Sequence, residues 1–77
     1  MVSMWQEKNN ELFKSFSFKD FKTALAFVNK VGALAEAANH HPDIELSWGK
    51  AGVHLSTHSE GGVTRKDKQL AKEIDEI

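Results

Sequence analysis

Apolar positions recur along this chain with two periods. From Trp5 to Lys8 a short strand is expected, and Asn9-Asn10 marks a turn because Asn tolerates the left-handed conformation. Glu11 to Phe18 reads as a second strand, with Leu12, Phe16 and Phe18 on one parity. Lys14 interrupts that face, so the strand rests mainly on aromatic content and the flanking turn. These two runs pair as a hairpin.

The period then changes. Phe21, Ala24, Leu25, Val28, Val31, Ala35 and Ala38 recur at spacings of mostly three and four, the stripe of an amphipathic helix. Phe18-Lys19-Asp20-Phe21 opens it, with Asp20 in the favourable first turn. The helix ends near His40, because Pro42 cannot continue it and biases His41 away from helical angles.

Strict alternation returns in Ile44-Glu45-Leu46-Ser47-Trp48 and again in Val53 to His58, with Val53, Leu55 and Thr57 on one face. Gly49-Lys50-Ala51-Gly52 reads as the turn between them. Gly61-Gly62 reads as a loop. Thr64 with Asp67 three residues on resembles a capping box, with Asp in place of Glu. Leu70, Ala71, Ile74 and Ile77 form the stripe of a second helix. The order ββαββα predicts an α+β fold: a two-layer sandwich of a four-stranded antiparallel sheet with two helices on one face.

The 77 residues allow one small domain, expected to span 1–77, whose thin core makes oligomerisation a reasonable expectation. Ten basic against eleven acidic residues give a net charge of −1 and argue against a nucleic-acid surface. The most basic run, Arg65-Lys66-Asp67-Lys68, is broken by an aspartate and reads as a solvated helix start. The absence of cysteine excludes disulfides and thiolate zinc sites. No apolar run reaches signal-peptide or membrane-span length, which makes a cytoplasmic protein the default.

The candidate chemistry is in the histidines. His40 and His41 stand side by side at an element boundary, followed by the only proline of the chain. One imidazole at a helix C-terminus is explained by the helix dipole, but successive residues there point in different directions, so the dipole does not explain both. His58 falls on the outward parity at the end of its strand. His54 shares that parity, mid-strand, and suggests no chemistry. Adjacent histidines converge poorly on one tetrahedral centre, so a zinc site is disfavoured and no metal is expected. There is no Gly-x-Ser-x-Gly elbow and no phosphate-cradling loop. What remains is a set of neutral-pH proton carriers with carboxylates nearby, equipment for adding or removing water. Glu36, one helical turn before His40, is placed to orient that ring. Trp48 shares the parity of Ile44 and Leu46 and is expected in the core. Asp67 is expected to cap its helix.

The spacing Glu36-x-x-x-His40-His41-Pro42, then Trp48, His58 and Asp67, resembles the signature of the pterin-4a-carbinolamine dehydratase family. The flanking text agrees: Phe18-Lys19-Asp20-Phe21, Leu55-Ser56-Thr57-His58, Gly61-Gly62-Val63-Thr64, Leu70-Ala71 and Ile74-Asp75. The resemblance covers about residues 11 to 77. It implies the same two-layer fold and a cofactor-free, metal-free dehydratase that turns a 4a-hydroxytetrahydropterin into a quinonoid dihydropterin, recycling the tetrahydrobiopterin-type cofactor of aromatic amino acid hydroxylases. By that resemblance His40, His41 and His58 line the pterin site, with His40 as acid and His41 or His58 holding the ring and acting as base. Glu36, Asp67, Trp48 and Pro42 are then substrate-binding or supporting residues. Many members carry an extra helix before the tryptophan that Trp5 matches; only four residues precede it here, and a dimer is expected, with a tetramer as the larger alternative. Some members also serve as dimerisation partners of a transcription factor, which makes a non-catalytic pterin-binding or interaction module the alternative function. A third reading keeps the reaction and changes the pterin, for example to one linked to molybdenum cofactor metabolism.

Overall fold

The structure, a computed structural model, describes residues 5–77. The first four residues of the N-terminal stretch, which entered the search for a leader sequence, lie outside that range. Four strands and two helices follow in the order ββαββα: β1 (Gln6–Lys8), β2 (Glu11–Ser17), α1 (Phe21–Ala38), β3 (Asp43–Ser47), β4 (Lys50–Leu55) and α2 (Arg65–Asp75), with a short 3₁₀ turn at His58–Glu60. The sheet is antiparallel throughout and ordered β1-β2-β4-β3.

The expected fold is the one observed, and local chemistry explains each junction. Asn9 and Asn10 both have positive φ, 54° and 64°. Two successive left-handed residues make the hairpin turn whose twist matches its strands, and Lys8 pairs with Glu11 across it. The Asp20 carboxylate caps α1 by accepting from the Thr23 N–H at 2.8 Å.

At its other end α1 closes in a Schellman motif. Asn39 is left-handed (φ 51°), its N–H reaches Glu36 O, and the His40 N–H reaches Ala35 O at 3.1 Å. The chain therefore leaves the helix one residue before His40. Thr64 and Asp67 cap α2 reciprocally, as the capping box predicts.

Both helices pack on one face of the sheet. Leu12, Ala51, Val53 and Leu55 from the strands meet Phe27, Val31 and Ala35 of α1 and Leu70, Ala71 and Ile74 of α2. Full burial of a side chain such as Val53 or Leu55 contributes roughly 1.5–3 kcal/mol.

Several expectations need correction. The buried stripe of α1 runs through Phe27, while Phe21 (44 % exposed) and Leu25 (39 %) lie off it; Ala38 is exposed as well. Ile77 likewise falls past the end of α2, outside the core. The turn between β3 and β4 is Trp48-Gly49, and Lys50, Ala51 and Gly52 belong to β4. Small residues suggested a turn, but here they fit a crowded sheet. Ala51 is buried between Phe16 and Leu46, and a Cβ on Gly52 would come within 3.2 Å of the Phe13 ring.

Trp48 is 69 % exposed at that turn, not in the core, because β3 ends one residue before it. β4 ends at Leu55, so His58 opens the 3₁₀ turn and does not finish a strand. Lys14 does lie on the inward face. Its ammonium pairs with Asp75 at 2.6 Å and sits 5.0 Å over the Phe16 ring, which compensates a charge that is nearly buried.

Candidate active site

The Schellman turn decides where the two adjacent imidazoles go. Asn39 swings the chain off the helix axis, so His40 is carried across to α2 and His41 turns back along α1. His40 Nε2 lies 2.5 Å from Asp67 Oδ1. His41 Nε2 lies 2.5 Å from Glu36 Oε2. The expected partnership of Glu36 with His40 is thus replaced by one with His41. An i, i+4 contact requires helix through the later residue, and α1 stops at Ala38.

Asp67 is the centre of the arrangement. It has no exposed surface, and its capping role is only part of what it does. Oδ2 accepts from the Thr64 N–H and from the Thr57 hydroxyl, both at 2.8 Å, while Oδ1 faces His40. Burial raises the carboxyl pKa, but the His40 contact, the Thr64 N–H and the Thr57 hydroxyl outweigh it, so Asp67 titrates below the usual carboxylate range. A buried charge with both oxygens hydrogen-bonded is a stable fixture, where an unpaired one would not be.

His40 is 13 % exposed and borders a groove of about 310 Å³ lined also by Ala38, Arg65, Lys66, Gln69, Leu70 and Glu73. That volume falls at the lower end of small-molecule sites. A larger cavity, about 480 Å³, lies between Phe16, Phe18, Phe27 and the Lys14–Asp75 pair and borders none of the histidines.

With Nε2 turned to Asp67, the nitrogen His40 leaves for other chemistry is Nδ1. A ring held this way can donate from Nδ1 when charged and accept there when neutral.

The other expected residues are distributed unevenly around this corner. His58 follows Thr57 directly, so the chain delivers it beside the Asp67 network, with its side chain exposed. Pro42 is half-buried between His41 and the start of β3. Trp48 is at the far end of β3, roughly 15 Å away at the rise of an extended strand.

The capping box paired Thr64 with Asp67, but Thr57 was not expected in this network. Thr57 did carry a signal: it shares the inward parity of Val53 and Leu55, and a hydroxyl pointing into a core needs a partner. His54, on the outer face of the sheet, is a second unforeseen hub. Its ring bonds Glu11 at 2.7 Å and Glu45 at 3.3 Å and packs, tilted by 42°, against the Phe13 ring. Burial there lowers the pKa, but the bonds and charges of Glu11 and Glu45 prevail and raise it. Among the described residues, no group of three or more His, Cys, Asp or Glu side chains is placed to hold a metal ion, and no helix is long and apolar enough to cross a membrane.

Residues 1–77 match the profile of the family described as Pterin 4 alpha carbinolamine dehydratase. Relatives provisionally named pterin-4-alpha-carbinolamine dehydratase include one from Roseiflexus sp. (strain RS-1), 51 % identical over 95 % of this chain and 78 % of its own. Another, from Sulfolobus acidocaldarius, is 47 % identical over 99 % of this chain and 84 % of its own. Among solved structures, a transcriptional coactivator/pterin dehydratase from Brucella melitensis superposes with a TM-score of 0.89 at 36 % identity, covering 94 % of this chain and 79 % of that one. A pterin dehydratase-like RuBisCO assembly factor of the alpha-carboxysome shares the fold, with a TM-score of 0.76 at 24 % identity over 95 % of this chain and 84 % of that one.

Proposed function

The chain belongs to the pterin 4 alpha carbinolamine dehydratase family, and from that premise we propose that it removes water from a 4a-hydroxytetrahydropterin to give the quinonoid dihydropterin. In this reading His40 is the acid. Its charged ring keeps Nε2–H on Asp67 and gives the Nδ1 proton to the 4a-hydroxyl, a poor leaving group until protonated. The N5 lone pair of the pterin pushes the C4a–O bond open and water departs. A base then takes the N5 proton, which balances the one His40 gave. His41 or His58 serves as that base and holds the ring, with Glu36 supporting His41. Proton transfer of this kind contributes roughly 10²–10⁴-fold.

The observation that supports this reading best is the contact between His40 and a fully buried carboxylate at the rim of a groove of small-molecule size. A fixed ring orientation is what a general acid needs, and a surface histidine has no use for it. The test is the dehydration of freshly generated 4a-hydroxytetrahydropterin, followed by ultraviolet absorbance. The folded protein accelerates it if the reading holds; a rate equal to the uncatalysed one refutes it.

A second reading, a pterin-binding or interaction module without turnover, draws on the coactivator named in the Brucella melitensis structure. It predicts an uncatalysed rate, and a partner complex that forms equally well when His40 is replaced.

A further inference from the structure

The protons around Asp67 can be assigned from the donors alone. A carboxylate only accepts, so the Thr57 hydroxyl must give its single proton to Asp67 Oδ2. Thr57 Oγ1 is also 2.7 Å from Thr64 Oγ1, and with its own proton committed it can only accept there. Thr64 therefore donates to Thr57, and the Lys66 N–H in turn donates to Thr64 Oγ1 at 3.3 Å. Three donors line up in series, all aimed at Oδ2, and such chains reinforce one another.

The backbone of Thr57 is equally constrained. It forms a bridge with Gly62, its N–H giving to Gly62 O at 2.8 Å, and its carbonyl takes the Glu60 N–H at 2.9 Å. The side chain is buried, so its hydroxyl has no water to turn to. Thr64 has a sufficient local reason to be where it is, since it caps α2. Thr57 caps nothing. A valine would fill the same space, yet a hydroxyl stands at this inward position and reaches Asp67.

We propose that Thr57 is a positioning residue: its hydroxyl fixes the plane of the Asp67 carboxylate so that Oδ1 holds the Nε2 proton of His40 and Nδ1 is the nitrogen left for other chemistry. Without it, Oδ2 keeps only the Thr64 N–H, and two contacts hold the carboxylate plane where three did before. This inference rests on the proposed dehydration only for what Nδ1 acts upon. The other charged groups of the groove, Arg65, Lys66 and Glu73, are common to all the variants below and do not distinguish them.

The experiment compares the parent with Thr57→Val and Thr57→Ser. Ring ¹⁵N spectra of the neutral histidines, taken without substrate, show a single Nε2–H form for His40 in the parent and in Thr57→Ser, and a mixture of forms in Thr57→Val. The pH profile of kcat moves in Thr57→Val and not in Thr57→Ser, and kcat in Thr57→Val falls by roughly ten- to a hundredfold, by analogy with the loss of a hydrogen-bond partner that orients a metal-bound histidine. An unchanged single form and an unmoved profile in folded Thr57→Val overturn the proposal.

If Thr57→Val does not fold, the parent supplies the answer. The Thr57 hydroxyl proton, protected from exchange, shifts as His40 titrates if the coupling exists and stays still if it does not. The spectra need no pterin, so a parent that fails to dehydrate the substrate but passes them refutes the proposed function and leaves the role of Thr57 standing.

Discussion

His40 and His41 are neighbours in the chain, and each places Nε2 2.5 Å from a carboxylate oxygen. What surrounds those atoms differs. The side chains of His40 and Asp67 are 13 % and 0 % exposed; those of His41 and Glu36 are 57 % and 78 % exposed. Water and salt compete for the second pair and scarcely reach the first. The Asp67 carboxylate is in addition held by two further donors, whereas the Glu36 carboxylate has no hydrogen bond besides His41 among the described residues. Equal contact lengths therefore stand for unequal things: a fixed buried pair in one case, an adjustable surface pair in the other.

The difference can be broken from either side. The largest effect is expected from His40→Gln, which retains an N–H donor for Asp67 while removing the titrating ring. Dehydration should fall by roughly 10²–10⁴-fold with the thermal midpoint near that of the parent. Glutamine is a cleaner choice than alanine, because alanine would leave a buried carboxylate facing nothing. His40→Gln with parental turnover would remove His40 from the mechanism.

Stability separates the pairs next. Asp67→Ala loses its half of the α2 capping box and leaves His40, Thr57 and the Thr64 N–H without their acceptor, at about 3 kcal/mol or more. Glu36→Ala should cost under about 1 kcal/mol, and added salt should shrink that further. Denaturant titrations of both variants check this; equal costs would mean that burial does not distinguish the pairs.

Acidity acts in opposite directions at Asp67 and at His54. The folded pKa of Asp67 is depressed, so its contribution is present above the ordinary carboxylate value of 3.8 and is lost as pH falls through the lower folded value. The folded pKa of His54 is raised. Its contribution is complete below the ordinary imidazole value of 6.5 and is lost as pH rises through the higher folded one. Thermal midpoints measured across pH should show Asp67→Asn flattening the acid limb and His54→Gln, by a smaller amount, flattening the neutral-to-alkaline limb. Limbs unaltered by these replacements would contradict the assignments. The smallest effect expected is none: treatment with a strong chelator leaves dehydration unchanged, and a loss restored by zinc would bring back the metal reading.

The sequence disclosed what depends on neighbours and withheld what depends on distant partners. The alternation of Ile44 to Ser47 and of Val53 to Thr57, the paired asparagines at the first turn and the Thr64–Asp67 box are local patterns, and they led to the fold. Ala51 and Gly52 misled because smallness suits a turn and a crowded strand equally, and only the ring of Phe13 across the sheet tells them apart. Lys14 looked like a break in its strand because Asp75 is 61 residues away.

At the site, the histidine doublet and the carboxylates were legible, but their pairing was not. It turns on one left-handed residue, Asn39, which sends His40 to a partner 27 residues on and leaves His41 to the glutamate that spacing had assigned to His40.

The most direct test of the central claim is a side-by-side measurement of pterin dehydration by the parent, His40→Gln and Glu36→Gln, each shown to be folded. The account predicts clear acceleration by the parent, near-complete loss in His40→Gln and at most a few-fold loss in Glu36→Gln. The reverse order, or equal losses in both, would contradict it, because the exposed pair would then matter as much as the buried one.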